Sequence, residues 1–457
     1  MTAVAEQLGW LYFSSSAWAT MRLIARLRQS MKLDSQFNVF LPSTLGELMR
    51  GVVTMRDAMS GRLLESWAGR YFLSRAVDAE EKVAAAPSEL TGKASALAQA
   101  GEGRLVSLDT FRGFIMFWII GGEALAVGLQ ALKPNLLLNA LVYELNHTPW
   151  QGLRFYDCIW PSFMLMVGMS VPLSFAKRSR TRTYPQMVGH AMKRFAVLFL
   201  LGSLRESIHL GAPYWVELSS ALQPIAIAYL VAFLLVRRSQ RLQAAIGGLI
   251  LVTYTVVLTA VPAPGVPAGT FDPYNNLVRS VDIMVLGRTY PTEPWGTVLC
   301  TLPTISTTIL GLLIGEWLMS AHSKESKAKM IAGAGLFCLA AGYTLGLRVP
   351  VIMKIWTTSY GLVSAGWACL MFLLFYWFID VRGHRKGTLL FVAIGSNAVF
   401  IYMVASIVPL HQWVGIFTRS TVEPSGHLEP LLRAIVVLLV EWVMLLWMYR
   451  NRIFIKA

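Results

Sequence analysis

A chain of 457 residues that is 55% hydrophobic and only 14% charged does not have a soluble globular composition, in which charged residues make up about a quarter; with a mean hydropathy of +0.54 it reads as a polytopic membrane protein. The net charge of +15 comes from short basic clusters between apolar segments, not from a domain-sized basic surface, so nucleic acid is set aside as a partner in favour of the lipid bilayer. Four cysteines, Cys158, Cys300, Cys338 and Cys369, lie in or beside apolar segments without CxxC spacing, which indicates packing, with neither a disulfide framework nor a metal site.

Residues 1–103 differ in character from the rest and read as an N-terminal appendage. RLIARLRQSMKL at 22–33 repeats apolar residues at helical spacing beside basic ones, as a segment lying on an anionic membrane surface does. Residues 44–75 repeat that pattern more weakly, and EEKVAAAPSELTGKASALAQAGEG at 80–103 reads as an Ala-rich helical or flexible linker. The opening residues lack a basic n-region and their apolar run is broken by SSS at 14–16, which argues against a secretory signal. Met49 and Met59 are alternative starts that would keep the whole core, so whether the appendage belongs to the native protein stays open.

Residues 104–457 form the membrane domain, expected to be an all-α bundle. About ten apolar stretches reach the roughly 17–25 residues needed to cross a bilayer: 112–131, 156–176, 190–208, 218–236, 243–262, 297–320, 328–347, 356–379, 388–410 and 430–449. Every even-numbered span leaves through a basic segment. These hold Lys177, Arg178, Arg180 and Arg182; Arg237, Arg238 and Arg241; Lys324, Lys327 and Lys329; Arg382, Arg385 and Lys386; and Arg450, Arg452 and Lys456. The odd-numbered loops are longer and poorer in Lys and Arg, so both termini are expected in the cytoplasm and the loops around His147 and at 261–296 on the opposite side. No internal repeat of the transporter kind is visible.

The groups able to carry chemistry are few. His147 lies in NHTPWQG near Trp150, with Asp157 at the mouth of the next helix. A histidine accepts a proton near neutral pH and a carboxylate can orient it, although a loop histidine taken alone is more often an ordinary surface residue. Glu123, behind GG at 121–122, stands about three turns into the first span, where a carboxylate means either function or a structural hydrogen bond. Asp109 and Arg112 share a face at the start of that helix and suit an intrahelical pair. Arg205, Glu206, Glu217, Gln223, Glu316 and Glu441 follow the same pattern of polar groups in apolar helices, with Glu316 expected to be structural. Asn397, in AIGSNAVFIYM, reads first as helix-packing glue. Ser359 and Tyr360 in KIWTTSYG, and Trp150, Trp160, Trp295, Trp356 and Trp413, read first as an interfacial aromatic belt.

The succession SLDTFRG, a membrane helix, then NHTPWQGLRFYDCIWPSFMLMVGMS resembles the heparan-alpha-glucosaminide N-acetyltransferase family, including its bacterial members. The likeness continues through ALQPIAIAYLVA at 221–232, VPAPGVPAGTFDPYNN at 261–276, KIWTTSY and IGSNAVFIYM, covering roughly 104–449 in consistent order. The resemblance implies a transmembrane acetyltransferase of a bacterial inner membrane that takes acetyl-CoA from the cytoplasm and acylates an extracytoplasmic saccharide, without a metal. It implies that His147 is the catalytic histidine of a short HxxWxG motif, with Trp150 and Gly152 also matching. The family's asparagine in the first core helix falls on Glu123, a departure; a carboxylate there would make the histidine more basic. Asp157 completes the expected catalytic set. For the anionic CoA nucleotide, Arg178, Arg182, Lys193 and Arg194 are the best-placed cations, with Arg112, Tyr360 and Asn397 expected along the tunnel or at the oxyanion. Direct transfer and a transient acetyl-histidine are both open, as is a homodimer. The acceptor class that fits is a cell-envelope saccharide or exported glycan. Two alternatives stand beside this reading: a proton-coupled transporter or flippase with Glu123 and Asp157 as relay, and an acyltransferase for longer acyl groups.

Overall fold

The computed structural model describes residues 105–455 apart from Glu217, Ser219, Ser220 and residues 290–293. All of these belong to the second of the chain's two compact units, Gly92–Ala457. The appendage at 1–103, with its amphipathic segments, lies outside the described residues.

The described residues form helices joined by loops, with no strand among them. Eight helical segments are long and apolar enough to cross a membrane, which makes this an integral membrane protein. Two of them form its centre: α3 (Ile159–Ser179) and α8 (Thr301–Leu318), each with 78% of its apolar window buried, against 22% for α6 (Gln240–Ala260). They approach closely because glycine faces backbone across the interface. A Cβ at Gly168 would lie 2.0 Å from the Thr308 carbonyl oxygen, and one at Gly311 would lie 2.1 Å from that of Leu165. In lipid, where apolar side chains gain nothing by leaving the solvent, such close packing is the main attraction between helices.

Around this pair stand α1 (Val106–Gln130), α4 (Tyr184–His209), α9 (Lys324–Gly346), α10 (Thr358–Tyr376) and α14 (Glu429–Arg450). The first turn of α1 is held by Asp380, whose Oδ2 accepts from the Ser107 amide at 3.3 Å. Pro185 and the reciprocal Thr183–Gln186 capping box start α4.

Two of the ten expected spans differ in the structure. The stretch 218–236 yields only the 14-residue α5 (Leu222–Leu235), because the buried Gln223 holds the chain before it out of helix. Its Oε1 accepts from the Leu218 amide at 2.9 Å and its Nε2 donates to Ser203 Oγ at 2.9 Å and the Trp215 carbonyl at 3.0 Å. Non-helical backbone at this depth is tolerated when protein covers it. The stretch 388–410 is broken into α11 (Thr388–Ser396) and α12 (Ala398–Ile407), bent by 75° at Asn397. Three shorter helices, α2 (Leu136–Leu145), α7 (Leu277–Leu286) and α13 (Leu410–Val422), lie in the connections at the end of the bundle that carries His147. The four cysteines are free and buried. Glu316 Oε1 accepts from Gln243 Nε2 at 2.8 Å inside the bundle, as a structural hydrogen bond between α8 and α6 would.

Candidate active site

The loop after α2 is fixed at three points, and the HxxWxG spacing supplies two of them. Trp150 Nε1 donates to the Phe271 carbonyl at 2.8 Å, tying the loop to the Pro/Gly-rich connection before α7. Gly152 has φ +116, a backbone that L side chains rarely adopt, and there its amide donates to Val351 O at 2.8 Å. Glu144 Oε2 accepts from the Phe155 amide at 2.8 Å, after which a 3₁₀ turn, Tyr156–Cys158, delivers Asp157 back to the start of the loop.

There His147 Nδ1 meets Asp157 Oδ1 at 2.7 Å. The Asp157 side chain is wholly buried, whereas that of His147 is 43% exposed. The second carboxylate oxygen accepts from Thr148 Oγ1 at 2.6 Å, the Thr148 amide at 3.3 Å and the Arg154 amide at 3.0 Å. A carboxylate gathering this many donors acts as an anion, so in the neutral imidazole the proton sits on Nδ1 facing Asp157 and Nε2 is the acceptor. That is the tautomer a general base or nucleophile requires. Tyr156 and Trp295 flank the imidazole, with ring centroids 4.8 Å and 6.0 Å away.

His147 and Asp157 border a cavity of about 460 Å³ walled by α1, α3, α4, α5 and α12. Glu123 projects into it from α1, beside the Tyr156 phenol. The two glycines before Glu123 have packing reasons: a Cβ at Gly121 would meet Leu438 and one at Gly122 would meet the Tyr156 ring. The structure thus brings the three expected catalytic residues, His147, Glu123 and Asp157, to one cavity.

The expected CoA-side residues divide. Arg178, Arg182, Lys193 and Arg194 gather with His190 at the opposite end of the bundle, close enough to feel one another's charge. The Arg194 guanidinium also lies over the Tyr229 ring at 4.5 Å. Along α4 that cluster lies about 16 Å below Arg205 in the cavity wall, at ~1.5 Å per residue. Between the two ends, Arg112 bonds Asp109 Oδ1 at 3.3 Å and reaches across to Ser170 Oγ on α3 at 3.4 Å. Its position on α1 is in register with Met116, Ile119 and Glu123, so one helical face runs from Arg112 to the cavity.

Tyr360 and Asn397, expected along the tunnel or at the oxyanion, are both engaged by backbone groups. Tyr360 is fully buried and donates its hydroxyl to the Asp157 carbonyl at 2.7 Å. It braces the backbone of the orienting carboxylate. Asn397 is occupied at the α11–α12 bend, where Nδ2 donates to Ile453 O at 3.0 Å and Oδ1 accepts from the Ile455 amide at 2.8 Å. It latches the segment after α14. The aromatic belt is likewise revised: Trp356 is buried with Trp160 packed edge-on at 4.8 Å, and Trp295 faces His147, whereas Trp413 is 54% exposed as a belt residue would be. Trp160, in the first turn of α3, and Trp295, in the connection before α8, both wall the cavity.

Sequence reasoning missed Thr148, Tyr156, His209 and Tyr402 as parts of this site. Thr148 and Tyr156 are adjacent to His147 and Asp157, which was a usable signal. His209 ends α4 and Tyr402 stands midway along α12, and no local pattern reveals that they meet α1 at one cavity.

A sequence model described as "Heparan-alpha-glucosaminide N-acetyltransferase, catalytic" matches residues 104–344, more than half of the chain. Among curated proteins, the heparan-alpha-glucosaminide N-acetyltransferases of Mus musculus and Homo sapiens are similar to this chain, at 23% and 24% identity over 424 residues. Each match covers 77% of this chain and 60% of the relative's length.

Proposed function

The chain belongs to the heparan-alpha-glucosaminide N-acetyltransferase family, and from that premise we propose that it moves an acetyl group from acetyl-CoA on the cytoplasmic side of a bacterial inner membrane to a saccharide on the other side, with His147 at the reacting centre. The observation that carries the proposal is the His147–Asp157 pair: a buried carboxylate fixes the imidazole at 2.7 Å and leaves the other ring nitrogen in a cavity between helices.

In direct transfer, His147 Nε2 takes the proton of the acceptor amine or hydroxyl as that atom bonds to the thioester carbonyl carbon. The C–S bond then breaks, and the proton on the imidazole passes to the departing thiolate. The same nitrogen also suits a two-step route, in which it takes the acetyl group as the thiolate departs; when the acceptor then takes the acetyl group, the freed Nε2 takes up the acceptor's proton and passes it to the thiolate. Asp157 stabilises the imidazolium in either case. The cationic cluster of Arg178, Arg182, Lys193 and Arg194 suits a polyphosphorylated nucleotide, and the apolar face of α1 above Arg112 suits an extended thiol arm. Glu123, where the family resemblance leads one to expect asparagine, places a negative charge beside the acceptor.

The transport reading finds less support, because the Asp157 oxygens are engaged by His147, Thr148 and Arg154, an arrangement suited to an orienting anion more than to a proton carrier. The decisive experiment supplies acetyl-labelled CoA to purified protein in sealed proteoliposomes with envelope-type amino sugars on the other face. Labelled sugar should form and His147→Ala should abolish it; transfer that survives His147→Ala refutes the proposal.

A further inference from the structure

Beside the His147 cavity lies a second cavity, of about 660 Å³, and Ile119, Glu123, Arg205, His209 and Tyr402 line both. It is built where α1, α4 and α12 end and α14 begins, at the end of the bundle that carries His147, and the acetyl transfer described above leaves it without a task. Each cavity falls in the range of about 300–1,000 Å³ typical of a site for one small ligand. Two such spaces with a common wall suit a molecule of two linked units.

The chemistry of the second cavity narrows what that second unit can be. Beyond the shared wall it presents Ser406, His411, Glu429 and Arg433, with Ala124 and Ala405 leaving room between them. Its charges are largely internally compensated. Arg433 is ion-paired with Glu429 one turn earlier on α14, and Arg205 with Glu206 at 2.8 Å. Partial burial and the Arg433 guanidinium hold His411 below the ordinary histidine range, so at neutral pH it offers one donor and one acceptor and no charge. A space dense in donors and acceptors but without an excess of either charge matches a polyhydroxylated ring. A carboxylate or sulfate there would lie near Glu123 and Glu429 and gain no arginine that is not already paired with a carboxylate.

We infer that the second cavity is an acceptor subsite: resting on the acetyltransferase reading, the sugar acylated at His147 is the terminal unit of an oligosaccharide whose adjoining, uncharged sugar lies against Tyr402, Ser406, His411 and the Arg433–Glu429 pair. The acceptor is therefore at least a disaccharide, and its second unit is neutral.

Binding to the full chain in detergent, followed by intrinsic tryptophan fluorescence without acetyl-CoA, tests this. The probes are glucosamine, glucosaminyl-β-1,4-N-acetylglucosamine and glucosaminyl-β-1,4-glucuronic acid. The neutral disaccharide should bind about tenfold or more tightly than glucosamine, as one or two added hydrogen bonds would give, and the uronic acid disaccharide should show no such gain. Ser406→Trp, which fills the cavity, and the milder His411→Ala at its rim should bring the ratio of disaccharide to monosaccharide affinity towards one. Equal binding of glucosamine and the neutral disaccharide by the unaltered protein, or preference for the uronic acid form, overturns the subsite. The two readings fail separately. Acetyl transfer to glucosamine without disaccharide preference removes the subsite and leaves the enzyme; disaccharide preference without acetyl transfer removes the enzyme and leaves a sugar site.

Discussion

Asp157→Asn tests the core of the mechanism, because the hydrogen bonds around the carboxylate dictate how an amide must sit. One oxygen accepts from Thr148 Oγ1, the Thr148 amide and the Arg154 amide; the other faces His147 Nδ1. An asparagine has one oxygen, and three donors compete for it against one ring nitrogen that can act either way. The amide oxygen therefore stays with Thr148 and Arg154, and the NH2 turns towards Nδ1. The imidazole must then accept at Nδ1 and carry its proton on Nε2, which leaves no lone pair in the cavity. The fold loses one charge-assisted hydrogen bond, about 1.5–3 kcal/mol, while catalysis loses the correct tautomer, which costs about 10⁴-fold in the Ser-His-Asp hydrolases where the same exchange is understood. Acetyl transfer from labelled acetyl-CoA should thus fall about 10³–10⁴-fold in protein that still elutes as a folded species and still binds acetyl-CoA. Activity within tenfold of the unaltered chain would show that Asp157 does not set the tautomer, and the assignment of base or nucleophile to His147 would fall with it.

Three further substitutions probe other parts of the site. Gly152→Ala places a Cβ on a backbone at φ +116 and should cost about 1–3 kcal/mol, read as a lowered unfolding temperature together with loss of transfer as the His147 loop shifts. Replacing Arg178 and Arg194 together by alanine should raise KM for acetyl-CoA about tenfold, roughly the effect of one lost charged hydrogen bond, with kcat little changed and the effect shrinking at high salt; an unchanged KM would move the nucleotide elsewhere. Glu123→Asn, which restores the amide expected from the family, should alter KM for the saccharide about tenfold or more and KM for acetyl-CoA hardly at all, since Glu123 lines the cavities and not the basic end.

How much of this was legible in the sequence depended on the length scale of each signal. Apolar runs of membrane length mark most spans, because burial in lipid is a property of a whole segment. The two departures both turn on one buried amide that takes over backbone partners. Gln223 shortens α5 and Asn397 bends the ninth expected span, and each sits in a run whose average hydropathy is unremarkable. The same averaging misplaced the aromatics: Trp356 and Tyr360 lie at a span boundary in the sequence, where a belt residue would be, yet their packing against Trp160 and the Asp157 backbone buries them. The His147–Asp157 pairing was readable because the two lie ten residues apart in one loop, and a turn can close that distance.

The cavities were not readable, since their walls take single faces from helices hundreds of residues apart, and nothing in α1 announces that Tyr402 or Arg433 will stand opposite. Glu123 shows what that hides. As one letter it is a carboxylate where an amide was expected, and its effect on His147 is the first thing to consider. In the structure it stands on the wall common to both cavities, so it bears on the reacting centre and the neighbouring space together. A negative charge at that junction disfavours an anionic chain passing from one cavity to the other, whereas an amide would not. Glu123, standing where the family resemblance leads one to expect asparagine, is therefore placed to bear on which saccharide is accepted as well as on the reacting centre.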